Sequence, residues 1–225
     1  MTLRQAGGLA ALTCAATYIV GFSFLVTVLA PLGYGTGESD PAAVAAFIAA
    51  RPGVLIGWNI LIYVVNALAL VVLVVTLRRL IAPSRPDAAA LTGAIGLIWA
   101  ALVLGAGMIA NVAVERTHAL AADPAAAATL WQTLHAVELG LGGGNEIAGG
   151  AWILGVSLAA RASGLFGRVS TAIGALSGLA GLATVLPPVG ELAGVVFGLG
   201  AIAWFVAAGL VLLRGRRPFA KEMTA

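Results

Sequence analysis

Polar side chains able to act as acids, bases or metal ligands form two groups in this sequence, one before and one after residue 123. In the first group, Asn111, Glu115 and His118 are spaced i, i+4 and i+7, so they share one face of a helix. The second group lies along a predicted span at 136–160. If that helix is continuous, these residues form a stripe about 100° wide on its surface. Its members are His135, Glu138, Gly142, Asn145, Glu146 and Gly149. We therefore expect two histidines and three carboxylates to converge at the outer ends of neighbouring helices.

The depth of Glu146 in the membrane can be estimated from Arg161, which marks the end of the same span. At about 1.5 Å per residue, Glu146 lies roughly 22 Å from that end, inside the hydrocarbon. An ionised carboxylate at mid-membrane costs roughly 2.5–3.5 kcal/mol on insertion scales. Glu146 is therefore expected to be protonated, paired or facing a wet cavity. The glycine run at 142–144 is a candidate break in this helix.

Three interpretations of these groups remain open. In the first, the carboxylates Glu115, Glu138 and Glu146 join both histidines around a divalent metal such as Zn²⁺. The narrowest ligand set is then His118, His135, Glu138 and Glu146. The sequence has no HExxH motif, but a bound metal can activate water, which would make the protein a metal-dependent membrane hydrolase.

In the second interpretation, the same residues line an outward-facing pocket for a small polar or amphipathic ligand. The candidate ligand-binding residues are Asn111, Glu115, His118, His135, Glu138, Asn145 and Glu146. In the third, the charged groups only hold helices together, with Arg116 paired to an acid and His135 to Glu138.

The composition predicts that lipid surrounds most of the chain. Of its 225 residues, 61% are hydrophobic and 9% charged, with a mean hydropathy of +1.05. A soluble domain carries roughly 25% charged residues. We therefore predict an all-α, polytopic membrane bundle that forms a single domain, with six transmembrane helices. The spans are expected at about 7–30, 54–77, 91–114, 136–160, 169–186 and 190–213, with a short outer helix at about 41–50 that starts at Asp40-Pro41.

The distribution of basic residues predicts the orientation. Of the 12 Lys and Arg residues, only Arg51 and Arg116 fall on the outer side of this arrangement. By the positive-inside rule both termini are cytoplasmic. Because the basic residues lie at helix ends and form no patch with interleaved aromatics, nucleic-acid binding is not expected. The ten inner residues are Arg4, Arg78, Arg79, Arg85, Arg161, Arg168, Arg214, Arg216, Arg217 and Lys221.

Several residues inside the spans are expected to serve packing. Asn66 is predicted to hydrogen-bond a neighbouring helix, and the tryptophans at 99, 152 and 204 to pack in the core. Tyr34, Trp58 and Trp131 fit an outer aromatic belt. The pairs Gly174/Gly178 and Gly194/Gly198 present small faces that permit close packing within the bundle or, alternatively, a homodimer.

Several segments together resemble the DUF4386 family of bacterial membrane proteins. They are Leu3–Leu9, the Asn111–His118 stretch with its Glu-xx-His, Leu134-His135 before a Gly- and Trp-containing helix, and the basic turn Ala160–Arg168, which lacks the family's proline. The resemblance implies a six-helix architecture and supplies no catalytic residues. With the Ala- and Gly-rich composition, it leads us to expect a bacterial plasma membrane protein.

Three classes of function fit these observations. The first is binding of a small ligand or metal at the outer polar groups, with or without hydrolysis. The second is a non-catalytic interaction subunit of a larger membrane complex. The third is a small-molecule carrier, which the lack of a visible internal repeat disfavours.

Overall fold

A computed structural model describes residues 1–34, 39–142 and 146–215, and all regular structure in these ranges is helical. The all-α prediction is therefore confirmed. Eight helices follow one another across the described ranges: α1 (Leu3–Leu32), α2 (Pro41–Ala50), α3 (Pro52–Ile81), α4 (Pro86–Ala119), α5 (Pro124–Gly142), α6 (Ile147–Ala162), α7 (Arg168–Ala183) and α8 (Gly190–Arg214).

Four of these helices, α1, α3, α4 and α8, are long and apolar enough to cross a membrane. They contain 30, 30, 34 and 25 residues, and about 20 apolar residues suffice to cross the hydrocarbon. Proline residues explain where two of these helices begin. Pro52 and Pro86 occupy the first turns of α3 and α4, where a missing N–H costs no hydrogen bond. These features support a membrane-embedded protein.

The chain expected to form one span at 136–160 instead forms two helices. Asp123 accepts a hydrogen bond from the backbone N–H of Ala126 and caps α5, which begins at Pro124 and ends at Gly142. Glu146 has φ −111° and ψ 38°, outside the helical region, and α6 begins at Ile147. The stripe of polar residues predicted for one continuous helix is therefore divided between two elements.

The first and last helices place the two ends of the described chain together. The guanidinium of Arg4 donates hydrogen bonds to the carbonyls of Val211 (3.1 Å) and Leu212 (3.0 Å) near the end of α8. The hydroxyl of Thr76, near the end of α3, donates to the carbonyl of Leu3 at 3.3 Å. Arg161 and Arg214 lie at this same end of the bundle, which we call the basic end.

The opposite end is covered by α2. Asp40 caps this helix by accepting from the N–H groups of Ala42 and Ala43. Val44 and Ile48 are buried against α4 and α5 in a cluster that includes Trp131. The short outer helix expected at 41–50 thus packs across the ends of longer helices.

The centre of the bundle is an aromatic core. Trp99, Trp152 and Trp204 are almost fully buried, at 2%, 1% and 0% exposure. The indole N–H of Trp204 donates to the hydroxyl of Ser157 at 2.8 Å, which satisfies its polar atom inside the core. Trp152 and Trp204 serve the packing role expected of them, whereas Trp99 packs in the core and also lines a cavity.

Close helix contact explains one of the two glycine pairs. A Cβ at Gly178 of α7 would lie 2.7 Å from the carbonyl oxygen of Gly150 in α6, and Gly174 faces Ser157 and Trp204. This face is therefore occupied within the chain. On α8, Gly198 packs against Phe22, whereas the space beside Gly194 is open.

Candidate functional site

A cavity of ≈ 180 Å³ lies among α1, α3, α4, α5 and Glu146, the residue that precedes α6. Its wall contains six Phe, Tyr and Trp residues, and it includes the polar groups of Glu138, Glu146 and His135. Cavities of this size accommodate small organic molecules, whereas one water in the liquid occupies only about 30 Å³. The cavity is the natural candidate for a ligand site.

Three helical irregularities meet at this cavity. α1 contains a π-helical turn at Leu25–Leu29, α3 contains one at Ile60–Val65, and the α5–α6 junction is non-helical at Glu146. Leu25, Ile62, Tyr63 and Glu146 all line the cavity. π-Turns occur frequently at functional sites, and irregular backbone within a membrane is tolerated where it is buried or lines a cavity.

The end of α1 brings Tyr34 to the cavity. Pro31 lacks an N–H, and Gly33 ends the helix in the left-handed conformation, with φ 79°, which glycine adopts without steric cost. The chain then turns back toward the bundle. The ring centroid of Tyr34 lies 5.7 Å from those of Trp58 and Trp131 and 5.4 Å from that of His135.

Glu138 is the centre of a buried hydrogen-bond network. Its side chain accepts from the hydroxyl of Tyr63 and lies 2.8 Å from Nδ1 of His135, and the residue is only 2% exposed. The His135 ring stacks on Trp131 with centroids 4.6 Å apart. Gly107 of α4 permits the close approach of Tyr63, because a Cβ there would overlap the tyrosine. Both oxygens of Glu138 are thus satisfied within the protein.

Glu146 differs from Glu138 because, among the residues that the structure describes, its carboxylate has no partner. Its backbone N–H donates to the Thr184 hydroxyl at 2.9 Å, which holds the start of α6 against the end of α7. Its side chain lines the cavity and makes no hydrogen bond or ion pair within residues 1–34, 39–142 and 146–215. No Lys or Arg of these ranges lines the cavity either.

Asn66 connects two helices at the inner wall of the cavity. Its amide Nδ2 donates to the Thr17 hydroxyl of α1 at 2.7 Å, and the Thr17 hydroxyl in turn donates to the carbonyl of Cys14 at 2.8 Å. The expected hydrogen bond to a neighbouring helix is present. Asn66 and Thr17 both line the cavity. The hydrogen bond between their side chains therefore fixes the separation of α1 and α3 at the cavity.

The structure brings together only part of the predicted site. His135, Glu138 and Glu146 line one cavity, but Asn111, Glu115 and His118 do not. Glu115 and His118 are exposed, and the side-chain oxygen of Asn111 is buried elsewhere, with no hydrogen-bond partner in the described part of the chain. The pocket was expected between the third and fourth spans; in the structure, residues of α1 and α3 also form much of the cavity wall. Asn145 lies outside the described residues.

The predicted metal-ligand set is not assembled in this structure. Across the described parts of the chain, no three His, Cys, Asp or Glu side chains approach closely enough to hold one metal ion. His118 lies away from the cavity that contains His135, Glu138 and Glu146. Glu138 and Glu146 line the same cavity although the helix assumed for them is divided, and helical spacing did not identify the face that α4 turns toward them.

Sequence reasoning missed the aromatic residues that complete the cavity. Tyr18 and Phe22 of α1 and Tyr63 of α3 line it, and Tyr34 and Trp58, assigned to an outer aromatic belt, line it too. A usable signal was present in Tyr18 and Tyr63, because a tyrosine hydroxyl deep in an apolar span requires a polar partner or a cavity.

Comparison with protein-family models, curated proteins and solved structures finds no match. The resemblance to DUF4386 therefore stays a prediction.

Proposed function

We propose that the chain crosses the bacterial plasma membrane six times with both termini in the cytoplasm. In this arrangement α5 and α6 together form a broken fourth span, and α7 forms a short fifth span. The convergence of Arg4, Arg161 and Arg214 at one end of the bundle supports a cytoplasmic basic end. The 16 residues of α7 give a length of about 24 Å, which a locally thinned bilayer accommodates.

We propose that the protein binds a small organic cation, such as a quaternary or protonated amine, in the cavity. The single observation that carries this proposal is the Glu146 carboxylate, which lines an aromatic cavity and has no hydrogen-bonding or cationic partner among the described residues. A carboxylate in this position is costly without a counter-charge. A cationic ligand supplies that charge.

The aromatic wall suits the same ligand. Tyr18, Tyr34, Trp58 and Tyr63 line the cavity, and the faces of aromatic rings attract cations by roughly 0.5–2 kcal/mol each, most strongly when water is excluded. Recognition of quaternary ammonium groups by aromatic cages is a common use of this interaction. The division of roles is then clear: Glu138 organises the wall and Glu146 pairs with the ligand.

Glu146→Gln is expected to weaken binding of benzyltrimethylammonium by roughly 30-fold, since loss of one desolvated charge pair costs about 2 kcal/mol. The substitution keeps the side-chain size and leaves the backbone hydrogen bond to Thr184 intact. Isothermal titration calorimetry of the detergent-solubilised protein measures the dissociation constant.

Glu191→Gln is the matched control, because Glu191 is an exposed acid in the first turn of α8 and does not line the cavity. This variant should bind the cation as the wild type does. Equal affinities for the wild type and Glu146→Gln would overturn the proposal. So would tight binding of Zn²⁺ at the cavity by a protein that does not bind the ammonium probe.

A further inference from the structure

A second cavity, separate from the proposed ligand site, opens at the basic end of the bundle. It has a volume of ≈ 670 Å³ and lies among the ends of α1, α6, α7 and α8. Three arginines line it: Arg4, Arg161 and Arg214. We call it the basic cleft.

No acidic side chain in the described parts of the chain pairs with the arginines of the basic cleft. Within residues 1–34, 39–142 and 146–215, the ion pair present is His135–Glu138, and both of its residues line the aromatic cavity. Arg4 uses two N–H groups on the carbonyls of Val211 and Leu212, which leaves part of its five-donor fork free. Three like charges around one cleft repel one another, and an anion among them removes that repulsion.

The start of α7 adds to the positive potential. Gly167 precedes this helix and has no side chain to cap it, so the first N–H groups are not capped by a side chain. Gly167 and Ser170 both line the basic cleft. Uncapped N–H groups and the helix dipole favour phosphate groups at such a position.

The floor of the basic cleft is apolar and rigidly held. Phe166 is 1% exposed and packs against Trp204 with ring centroids 6.0 Å apart. Its backbone N–H and that of Leu165 both donate to the carbonyl of Ala160, which closes the end of α6. Leu165, Phe166 and Leu210 line the cleft beside the arginines. Arginines above an apolar floor suit an anion that carries an apolar part.

We infer that the basic cleft binds a phosphate-bearing anion through Arg4, Arg161 and Arg214. Two sources share this chemistry: the headgroup of an anionic phospholipid and free phosphate. Arginine is suited to this role because its planar fork binds phosphate oxygens in pairs. The inference is independent of the occupant of the aromatic cavity.

Native mass spectrometry of the solubilised full chain tests this inference, with phosphatidylglycerol, phosphatidylcholine and inorganic phosphate as probes. The variant is Arg161→Gln/Arg214→Gln, because Arg4 also holds α8. At about 1 kcal/mol per arginine near an anionic headgroup, this variant is expected to lose roughly 10- to 30-fold in apparent affinity for phosphatidylglycerol. Phosphatidylcholine should bind weakly to both proteins.

The control is Arg79→Gln/Arg85→Gln, which removes the same charge from exposed residues that do not line the cleft. It should retain wild-type affinity. If inorganic phosphate displaces phosphatidylglycerol, the inference is supported and free phosphate is sufficient as the ligand. If phosphatidylglycerol binds and phosphate does not displace it, the inference is supported and the ligand is the lipid headgroup. Equal retention of phosphatidylglycerol by wild type and the Arg161/Arg214 variant, with no phosphate binding to either, would overturn it.

Discussion

Replacing Glu138 with alanine is expected to destabilise the bundle by about 3–5 kcal/mol and to abolish cation binding. The substitution leaves the Tyr63 hydroxyl and Nδ1 of His135 without their partner, and each unsatisfied buried group costs roughly 1–3 kcal/mol. It also leaves a void at a residue that is 2% exposed. Reversible unfolding in mixed micelles, followed by tryptophan fluorescence, measures the loss of stability.

Glu115→Ala provides the comparison, because Glu115 is an exposed glutamate of α4 that does not line the cavity. Its stability should stay within about 0.5 kcal/mol of the wild type, as for most surface substitutions. Glu138→Gln should recover part of the stability, because the amide still accepts from Tyr63. If Glu138→Ala were as stable as Glu115→Ala, the network would not organise the cavity wall.

The second large effect is expected at the contact between α6 and α7. A Cβ at Gly178 would lie 2.6 Å from the Cβ of Leu154 and 2.7 Å from the carbonyl oxygen of Gly150, so Gly178→Leu must force these helices apart. Overpacking typically costs 1–3 kcal/mol, and a backbone contact leaves little room to adjust, so we expect about 3 kcal/mol or more. Thermal unfolding and the monodisperse fraction in gel filtration measure the effect.

Gly194→Leu is the matched substitution for this test. Gly194 is also a helical glycine, but a Cβ there meets no atom within 4 Å. The variant should unfold at or above the wild-type temperature, because leucine favours the helix by close to 1 kcal/mol relative to glycine. A Gly178→Leu protein with the thermal midpoint of Gly194→Leu would contradict the described contact between α6 and α7.

The helical fold could be predicted because local signals agree with composition. Asp40-Pro41 and Asp123-Pro124 each combine a capping carboxylate with a proline in the first turn, and α2 and α5 begin at those prolines. The division of the predicted fourth span at Glu146 was indicated in the sequence only by the glycine run before it. A glycine run permits a break but does not require one, because tertiary contacts such as the bond between Glu146 and Thr184 decide it.

The site could be predicted only in part because spacing specifies a helix face but not its neighbour. His135 and Glu138 were correctly placed on one face, yet their partners are Tyr63 and Tyr34, not Glu115 or His118. Each π-turn inserts about one residue into a helix, which rotates the following side chains by roughly 100°. No side-chain pattern in residues 60–65 marks such a turn, so the orientation of Tyr63 could not be derived from periodicity.

The central claim is that charge, and not shape alone, selects the occupant of the aromatic cavity. The most direct test is to compare, by calorimetry on the wild-type protein, benzyltrimethylammonium with neopentylbenzene, which has the same shape and no charge. The ion pair with Glu146 and the aromatic wall predict that the cation binds at least ~30-fold more tightly, equivalent to about 2 kcal/mol. Binding of the neutral compound with equal or higher affinity would contradict the proposed function.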